Sequence, residues 1–194
     1  KFQGVYEGWK GKRKVLLTRN AVPGKTTYDE FLIREQGIEY RTWDTRKSKL
    51  AAAIVKGIGN INIRPGNLVL YLGASTGTTV SHVSDIIGND GFVFAIEFAA
   101  RVARQLVFLA EQRKNIAPIL ADANTPELFY NPALAVDTVY QDIAQKQQVP
   151  IFIKNCDLFL KKGGFGILCV KARSIDVAKK PKEIFKEVKT ELEK

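Results

Sequence analysis

Hydrophobic and polar positions change their rhythm once along the chain, near residue 46. From Phe2 to Trp43, short β-rich pieces (GVYEGW, KVLLT, EFLIRE, IEYRTW) are punctuated by Pro23-Gly24 and Gly37, which predicts short hairpins. From Ser48 the alanine-rich run SKLAAAIVKG has helix propensity and stops at Gly57, so a helix is expected to join the two parts. Ile61 to Gly66 (INIRPG) then turns the chain into a region where apolar runs of strand length alternate with amphipathic segments. The expected strands are Leu68 to Gly73, Phe92 to Glu97, Ala117 to Ala121, Val136 to Asp142 and Phe165 to Ala172. Helices are expected near Thr78 to Ile87, Ala100 to Arg113, Val149 to Lys161 and Lys182 to Glu193. Strands apolar on both faces and separated by helices indicate a parallel sheet covered on both sides. The fold class is therefore α/β, doubly wound and mostly parallel, with residues 1–45 a β-rich subdomain and residues 46–194 the sheet domain. No internal repeat or low-complexity segment is found.

At 194 residues and 45% hydrophobic content the chain can bury a sizeable core. No run approaches the roughly eighteen consecutive apolar residues of a membrane span, since the uncharged stretch containing Leu68 to Thr79 is broken by glycine and hydroxyl residues. A soluble protein without membrane attachment is expected. Thirty Lys and Arg against twenty Asp and Glu leave a formal charge of +10, which makes an anionic partner, nucleic acid foremost, the leading expectation. Cys156 and Cys169 lie in apolar contexts without the paired spacing of a zinc site, so both read as small core residues in a reducing compartment and no metal is expected. The chain starts at Lys1 and contains no Met, so its ends are read as trimmed; its N-terminus lacks the apolar core of a signal peptide.

In a doubly wound sheet the ligand lies beyond the carboxyl ends of the strands. The first strand runs into Gly73-Ala74-Ser75-Thr76-Gly77-Thr78-Thr79, where glycines let backbone approach a ligand and the threonines begin a helix with free N–H groups. This is not the G-x-G-x-x-G of a dinucleotide site, so bound pyrophosphate is disfavoured. Glu97 ends the second strand, twenty-four residues beyond Gly73, where a carboxylate can accept from both ribose hydroxyls of an adenosine. Asp122 ends the third and could accept from an adenine amino group while small Ala123 lets the ring pass. Singly these are a turn, a strand-end acid and a cap; together they describe an adenosine site without phosphates, pointing to S-adenosylmethionine (SAM) rather than NAD.

The fourth strand ends in Asp142-Ile143-Ala144-Gln145 and the fifth carries Lys171, so neighbouring parallel strands place Asp142 and Lys171 on one rim, within reach of Lys49 on the early helix. Two lysines and a carboxylate suit methyl transfer to a hydroxyl, whose proton a neutral lysine can take. Bringing a lysine from about 10.4 to near 7.4 corresponds to roughly 4 kcal/mol, which calls for dry surroundings as well as a charged neighbour. The plainer reading of each residue alone is a solvated amine or a strand-end cap.

The stretches YRTWDTRKSKLAAAI (Tyr40 to Ile54), VLYLGASTGTTVSHVSDIIG (Val69 to Gly88), AIEFAARV (Ala95 to Val102), LADA (Leu120 to Ala123), YQDIAQ (Tyr140 to Gln145) and VKARSID (Val170 to Asp176) closely resemble the fibrillarin family, in order and at compatible spacing over nearly the whole chain. The resemblance implies a Rossmann-like SAM-dependent RNA 2′-O-methyltransferase, the catalytic subunit of box C/D ribonucleoproteins acting on guide-selected rRNA or tRNA. It implies guide RNA and target RNA, a Nop-domain scaffold protein and a kink-turn-binding ribosomal-type protein as partners. By motif, Thr78, Thr79, Glu97, Phe98, Asp122, Ala123 and the run Asp142, Ile143, Ala144, Gln145 match the family's SAM-contacting positions, beside Gly73 and Ala74 of the loop. Lys49, Asp142 and Lys171 match three members of its Lys-Asp-Lys-His catalytic group. The family's histidine lies in a C-terminal Asp-His segment between two final strands; this chain ends at Lys194, and that segment is expected to have been trimmed away. The strand bearing Lys171 would then be an uncovered edge. His82, the only histidine, sits on the SHVSDI helix and reads as a core or helix-capping residue. The chain has GASTGTT and YRTWDTRKS where the family usually has GAASGTT and YRxWNPFRS. Absence of a glycine-arginine-rich tail points to an archaeal, cytoplasmic protein, a nucleolar one if eukaryotic. An NAD enzyme and a noncatalytic RNA-binding assembly subunit remain the alternatives.

Overall fold

The computed structural model describes residues 1–194. The β-rich segment forms one antiparallel sheet of β1 (Val5–Lys10), β2 (Arg13–Arg19), β3 (Leu32–Glu35) and β4 (Ile38–Trp43), in the order β1-β2-β4-β3. Gln36 and Gly37 both take positive φ (50° and 78°), the pair of left-handed residues that lets a two-residue turn match the twist of the β3–β4 hairpin. The linker then enters α1 (Lys49–Val55), capped by Ser48, whose Oγ accepts from the Ala51 N–H at 3.2 Å.

The rest alternates as expected: β5 (Leu68–Leu72), α2 (Thr78–Ile87), β6 (Phe92–Glu97), α3 (Ala100–Gln112), β7 (Ile116–Leu120), a 3₁₀ turn at Pro126–Leu128, β8 (Val136–Gln141), α4 (Gln148–Phe159), β9 (Leu160–Leu168), α5 (Ala172–Ile175) and α6 (Pro181–Leu192). All five strands of this sheet are parallel, ordered β7-β6-β5-β8-β9, with β9 at one edge. The two-faced apolar pattern has its cause here. Along β5, Val69 and Tyr71 pack with α1, α2 and α3 through Leu50, Ile54, Val80, Val83 and Leu106. Leu70 and Leu72 pack on the other face with Ile151, Phe152 and Phe159 of α4. Each such side chain withdrawn from water contributes about 1.5–3 kcal/mol, so a one-residue slip of β5 would exchange one filled face for another rather than expose a polar one. No helix is long and apolar enough to cross a membrane.

Two expected boundaries are corrected. The helix expected to reach Lys161 ends at Phe159, because Leu160 turns extended and pairs with Val136, and strand β9 begins there rather than at Phe165. Lys171 is not on that strand. β8 ends at Gln141, whose carbonyl accepts from the Cys169 N–H at 2.8 Å, and with no ladder partner beyond it the chain leaves the sheet before Lys171.

The antiparallel sheet is joined to α2 by a buried polar cluster. The guanidinium of Arg41, fully buried, donates to Glu30 (3.0 Å), Asp85 (3.1 Å) and Ser81 (2.8 Å), and Asp85 also accepts from Arg113 at 2.6 Å. His82 lies inside this cluster, stacked on Trp43 at 4.8 Å between ring centroids, with Thr18 and Tyr28 each 2.7 Å from one ring nitrogen. Thr18 Oγ1 donates its one proton to Asp85 at 2.8 Å, so it accepts from Nδ1–H, and Nε2 accepts from the Tyr28 hydroxyl. Burial, then the charges of Arg41 and Arg113, hold the imidazole well below its ordinary pKa. The sequence reading of His82 as a core residue agrees with this placement.

Candidate active site at the carboxyl ends of the strands

Strand order reverses between β5 and β8: from β5 the chain proceeds outward through β6 and β7, then returns to place β8 on the other side. The crevice at such a switch point is where the connections leaving two neighbouring strands diverge. Those two connections begin with Gly73 and Asp142. They lie so close that a Cβ on Gly73 would come 2.6 Å from the Asp142 carbonyl oxygen, and its φ of +82° is one that a side chain resists. Glycine here is what lets the first loop and the Asp142 segment share the mouth of one cavity.

That cavity has a volume of about 380 Å³. The structure brings into its wall Gly73, Glu97, Phe98, Asp122, Ala123, Asp142, Ile143, Ala144, Gln145 and Lys171 of the residues named from sequence. Glu97 is buried and its carboxylate is fixed at both ends, accepting from the Ser75 N–H and the Ala99 N–H at 2.9 Å each. Each oxygen keeps a lone pair for a further donor. Asp122 accepts from its own turn, at the Asn124 N–H (2.9 Å), and from the Gln145 side-chain amide at 3.1 Å, so the third and fourth strand ends are tied across the cavity. Phe98 is 68% exposed, an apolar ring left against open space at the cavity wall.

Ala74, Thr78 and Thr79 do not line the cavity. Ala74 is packed in the core, and the hydroxyl of buried Thr79 donates to Ser48 at 3.0 Å, linking the start of α2 to the cap of α1. The residue after Ser48 is Lys49, whose side chain reaches Asp142 at the rim. Ser75, Ile96 and Ala121 line the cavity and were not singled out from the sequence. Ser75 adopts φ of 51°, left-handed for a residue with a side chain, and this is what turns its N–H onto Glu97. Its position inside GASTG was the available signal.

At the rim Asp142 stands between two lysines. Lys49 Nζ donates to both carboxylate oxygens, at 2.9 and 3.0 Å, while Lys171 Nζ lies 3.0 Å from Oδ1 and donates to the Asp142 carbonyl at 3.1 Å. The carboxylate is 15% exposed and the lysines 28% (Lys171) and 48% (Lys49), so the charges meet at a partly shielded edge open on the solvent side. Beneath them, the rings of Tyr71 and Tyr140 lie 4.5 Å apart, and the Tyr140 hydroxyl contacts Cys169 Sγ at 3.0 Å. Burial first, with the Asp142 charge adding to it, raises the Tyr71 hydroxyl well above its ordinary range, and burial pushes the Cys169 thiol up to about 11. The floor under Asp142 therefore stays neutral at physiological pH, leaving the lysines as its only charged partners. Cys156 is also a free thiol pushed up, to about 12, by burial; neither cysteine has a partner sulfur.

Residues 1–194 match the family model described as Fibrillarin. Over 194 residues the chain is 50% identical to the fibrillarin-like rRNA/tRNA 2′-O-methyltransferase of Thermococcus onnurineus, covering 99% of this chain and 85% of that protein. In structure it is similar to Aeropyrum pernix fibrillarin in complex with natively bound S-adenosyl-L-methionine (TM-score 0.89, 43% identity, 97% of this chain and 83% of that one). It is also similar to a chain of a fibrillarin/Nop5p complex (TM-score 0.88, 40% identity, 98% and 86%). Agreement on this scale runs through both sheets and both sides of the cavity, and it makes the earlier resemblance a membership: the chain belongs to the fibrillarin family.

Proposed function

We propose that this chain is a SAM-dependent RNA 2′-O-methyltransferase, acting as the catalytic subunit of a box C/D ribonucleoprotein on guide-selected rRNA or tRNA. The observation that carries this reading is the pair of lysine amines on the single carboxylate of Asp142, at the mouth of a cavity whose far wall presents Glu97 and Asp122. The residues fit the cofactor. The cavity of about 380 Å³ lies within the range of small-molecule sites, roughly 300–1,000 Å³. Glu97 would hold the ribose hydroxyls, Asp122 the adenine amino group beside small Ala123, and Phe98 a face of the ring. Bound there, SAM supplies an electrophilic methyl on a positively charged sulfonium.

The protein's part is proton handling and placement. Lys171, as the free amine, accepts the proton of the ribose 2′-hydroxyl as that oxygen takes the methyl. Asp142, with Oδ1 3.0 Å from that amine, orients it and stabilises the ammonium so formed. Lys49 steadies the carboxylate from its other side and adds positive charge where RNA phosphate approaches. Residues 46–194 hold the chemistry, and residues 1–45 extend the surface. RNA as substrate is further supported by the β1–β2 turn, where Trp9 (66% exposed), Lys12 and Arg13 stand in solvent. Leu16 lies opposite Trp43, so the turn reaches past the end of β4, on the side from which the chain continues to Ser48 and Lys49.

Target choice would come from guide pairing, with this subunit contacting phosphates and reading little sequence. The Nop5p complex of a relative supports a Nop-domain scaffold as partner, which in turn would join a kink-turn-binding protein and the guide RNA. The archaeal source of the relatives supports a cytoplasmic setting. The test is Lys171→Ala in an assembly reconstituted with guide RNA, scaffold and kink-turn protein. Methylation of the paired target should fall by roughly 100- to 10,000-fold while calorimetric SAM affinity stays within about threefold. Loss of both together would make the lysine structural and remove the proposed role.

A further inference from the structure

Lys171 stands outside the sheet, on a segment whose neighbouring strand has already ended, yet its backbone is as fully hydrogen-bonded as a strand residue's. One side chain engages both its N–H and its carbonyl. Gln148, the first residue of α4 and 1% exposed, accepts from the Lys171 N–H through Oε1 at 2.9 Å and donates to the Lys171 carbonyl through Nε2 at 3.1 Å. The same Nε2 donates to the Gln145 carbonyl at 2.9 Å, and the Gln148 main-chain carbonyl accepts from the side chain of Gln141 at 2.7 Å. The amide has only one arrangement, because one N–H and two carbonyls face it. Apart from Gln148, the Lys171 carbonyl accepts only from Ser174 in the short α5, and the Lys171 N–H has no other partner.

The geometry points to Gln148 as the positioning residue of the active site: it acts as a surrogate strand that sets Lys171 against Asp142 and, through Gln145, couples that placement to the cofactor side. Gln145 closes the connection by donating to Asp122 at 3.1 Å. Gln148 thus holds the end of β8 through its main-chain carbonyl, and its buried amide joins the loop lining the cavity to the segment carrying the amine. A polar side chain at this depth is costly unless every group is used, and every polar atom of this one is. Without it, Lys171 would hang from a loop, and displacement of a reacting group by about 1 Å costs on the order of 100-fold in rate. The inference rests on the reading that Lys171 accepts the proton.

The test compares Gln148→Met, of similar length but without hydrogen bonds, and Gln148→Glu, which keeps the acceptor for the Lys171 N–H and turns the donor into an acceptor facing two carbonyls. Single-turnover methylation in the reconstituted assembly is followed from pH 6 to 9 at saturating SAM, with calorimetric SAM affinity and a thermal melt on each variant. Gln148→Met should melt cooperatively, bind SAM within about threefold, lose roughly 10- to 100-fold in rate, and shift the midpoint of the pH–rate profile as Lys171 changes its contact with Asp142. Gln148→Glu should lose more. In a Lys171→Ala background, Gln148→Met should add less than about twofold. A parental rate in Gln148→Met, or a loss that leaves the pH profile in place and multiplies with that of Lys171→Ala, overturns the positioning role. Should Lys171→Ala itself keep the parental rate, the reading of the site fails, and the positioning role falls with it.

Discussion

Acid should unfold this protein earlier than its carboxylates alone require, and through one identifiable group. His82 is fully buried and neutral, with burial and the Arg41 and Arg113 charges depressing its pKa well below 6.5. In the unfolded chain it binds a proton below about pH 6.5; in the native protein it does not. Its contribution to stability is therefore complete above pH 6.5 and is lost as pH falls towards the depressed native value. The slope is about 1.4 kcal/mol per pH unit, so lowering the pH from 7.5 to 5.0 should cost about 2 kcal/mol. Because the chain has one histidine and carboxylates titrate mainly below about pH 4.5, nothing else contributes much in that window. Urea unfolding followed by circular dichroism at half-unit pH intervals measures the loss directly. His82→Phe keeps a ring against Trp43 but gives up two hydrogen bonds; it should be less stable at pH 7.5 and flat between pH 7.5 and 5.0. A wild-type stability that does not fall over this interval, or a variant that falls equally, refutes the assignment. The imidazole should also keep its Nδ1–H tautomer throughout in nitrogen-detected NMR.

Asp85→Ala leaves Arg41 and Arg113 facing each other with their shared carboxylate gone, and should destabilise by about 3–5 kcal/mol in urea. Gly73→Ala forces a Cβ towards the Asp142 carbonyl at φ +82°; a backbone cost of about 1–2 kcal/mol corresponds to a Tm fall of roughly 2–8 °C, and SAM affinity should drop at least tenfold in calorimetry. Gly57→Ala, also at positive φ but with open space around it, should show the thermal loss and keep SAM affinity. Replacing Lys12 and Arg13 by Ala should reduce the salt slope of RNA binding by about 1 for each phosphate no longer neutralised, uniformly across sequences.

Much of the architecture was legible because local pattern and tertiary packing agree. Strands β5 and β6 are apolar on both faces in the chain and are covered on both faces in the fold, so their alternation with helices already implied a parallel sheet and placed Gly73 and Glu97 at carboxyl ends. The family motifs carried Lys49 to the rim although it stands 93 residues from Asp142, a pairing no spacing rule would supply. Other features had no local signal. Leu160 and Lys161 read as the end of a helix, and pairing of Leu160 with Val136 made them the start of a strand. Lys171 read as a strand residue until β8 ran out of partners at Gln141. Gln148 looks like one polar residue in a run of them, and Arg41, Asp85 and Arg113 look like surface charges. Nothing local says that Asp85 will meet one arginine 44 positions before it and another 28 positions after it. Local order along the chain sets what each segment prefers and which faces must leave water, because propensity and apolar periodicity are properties of sequence neighbours. Which polar groups meet is settled by the packed fold alone, because a buried hydrogen bond or ion pair exists only once both partners have lost their water together.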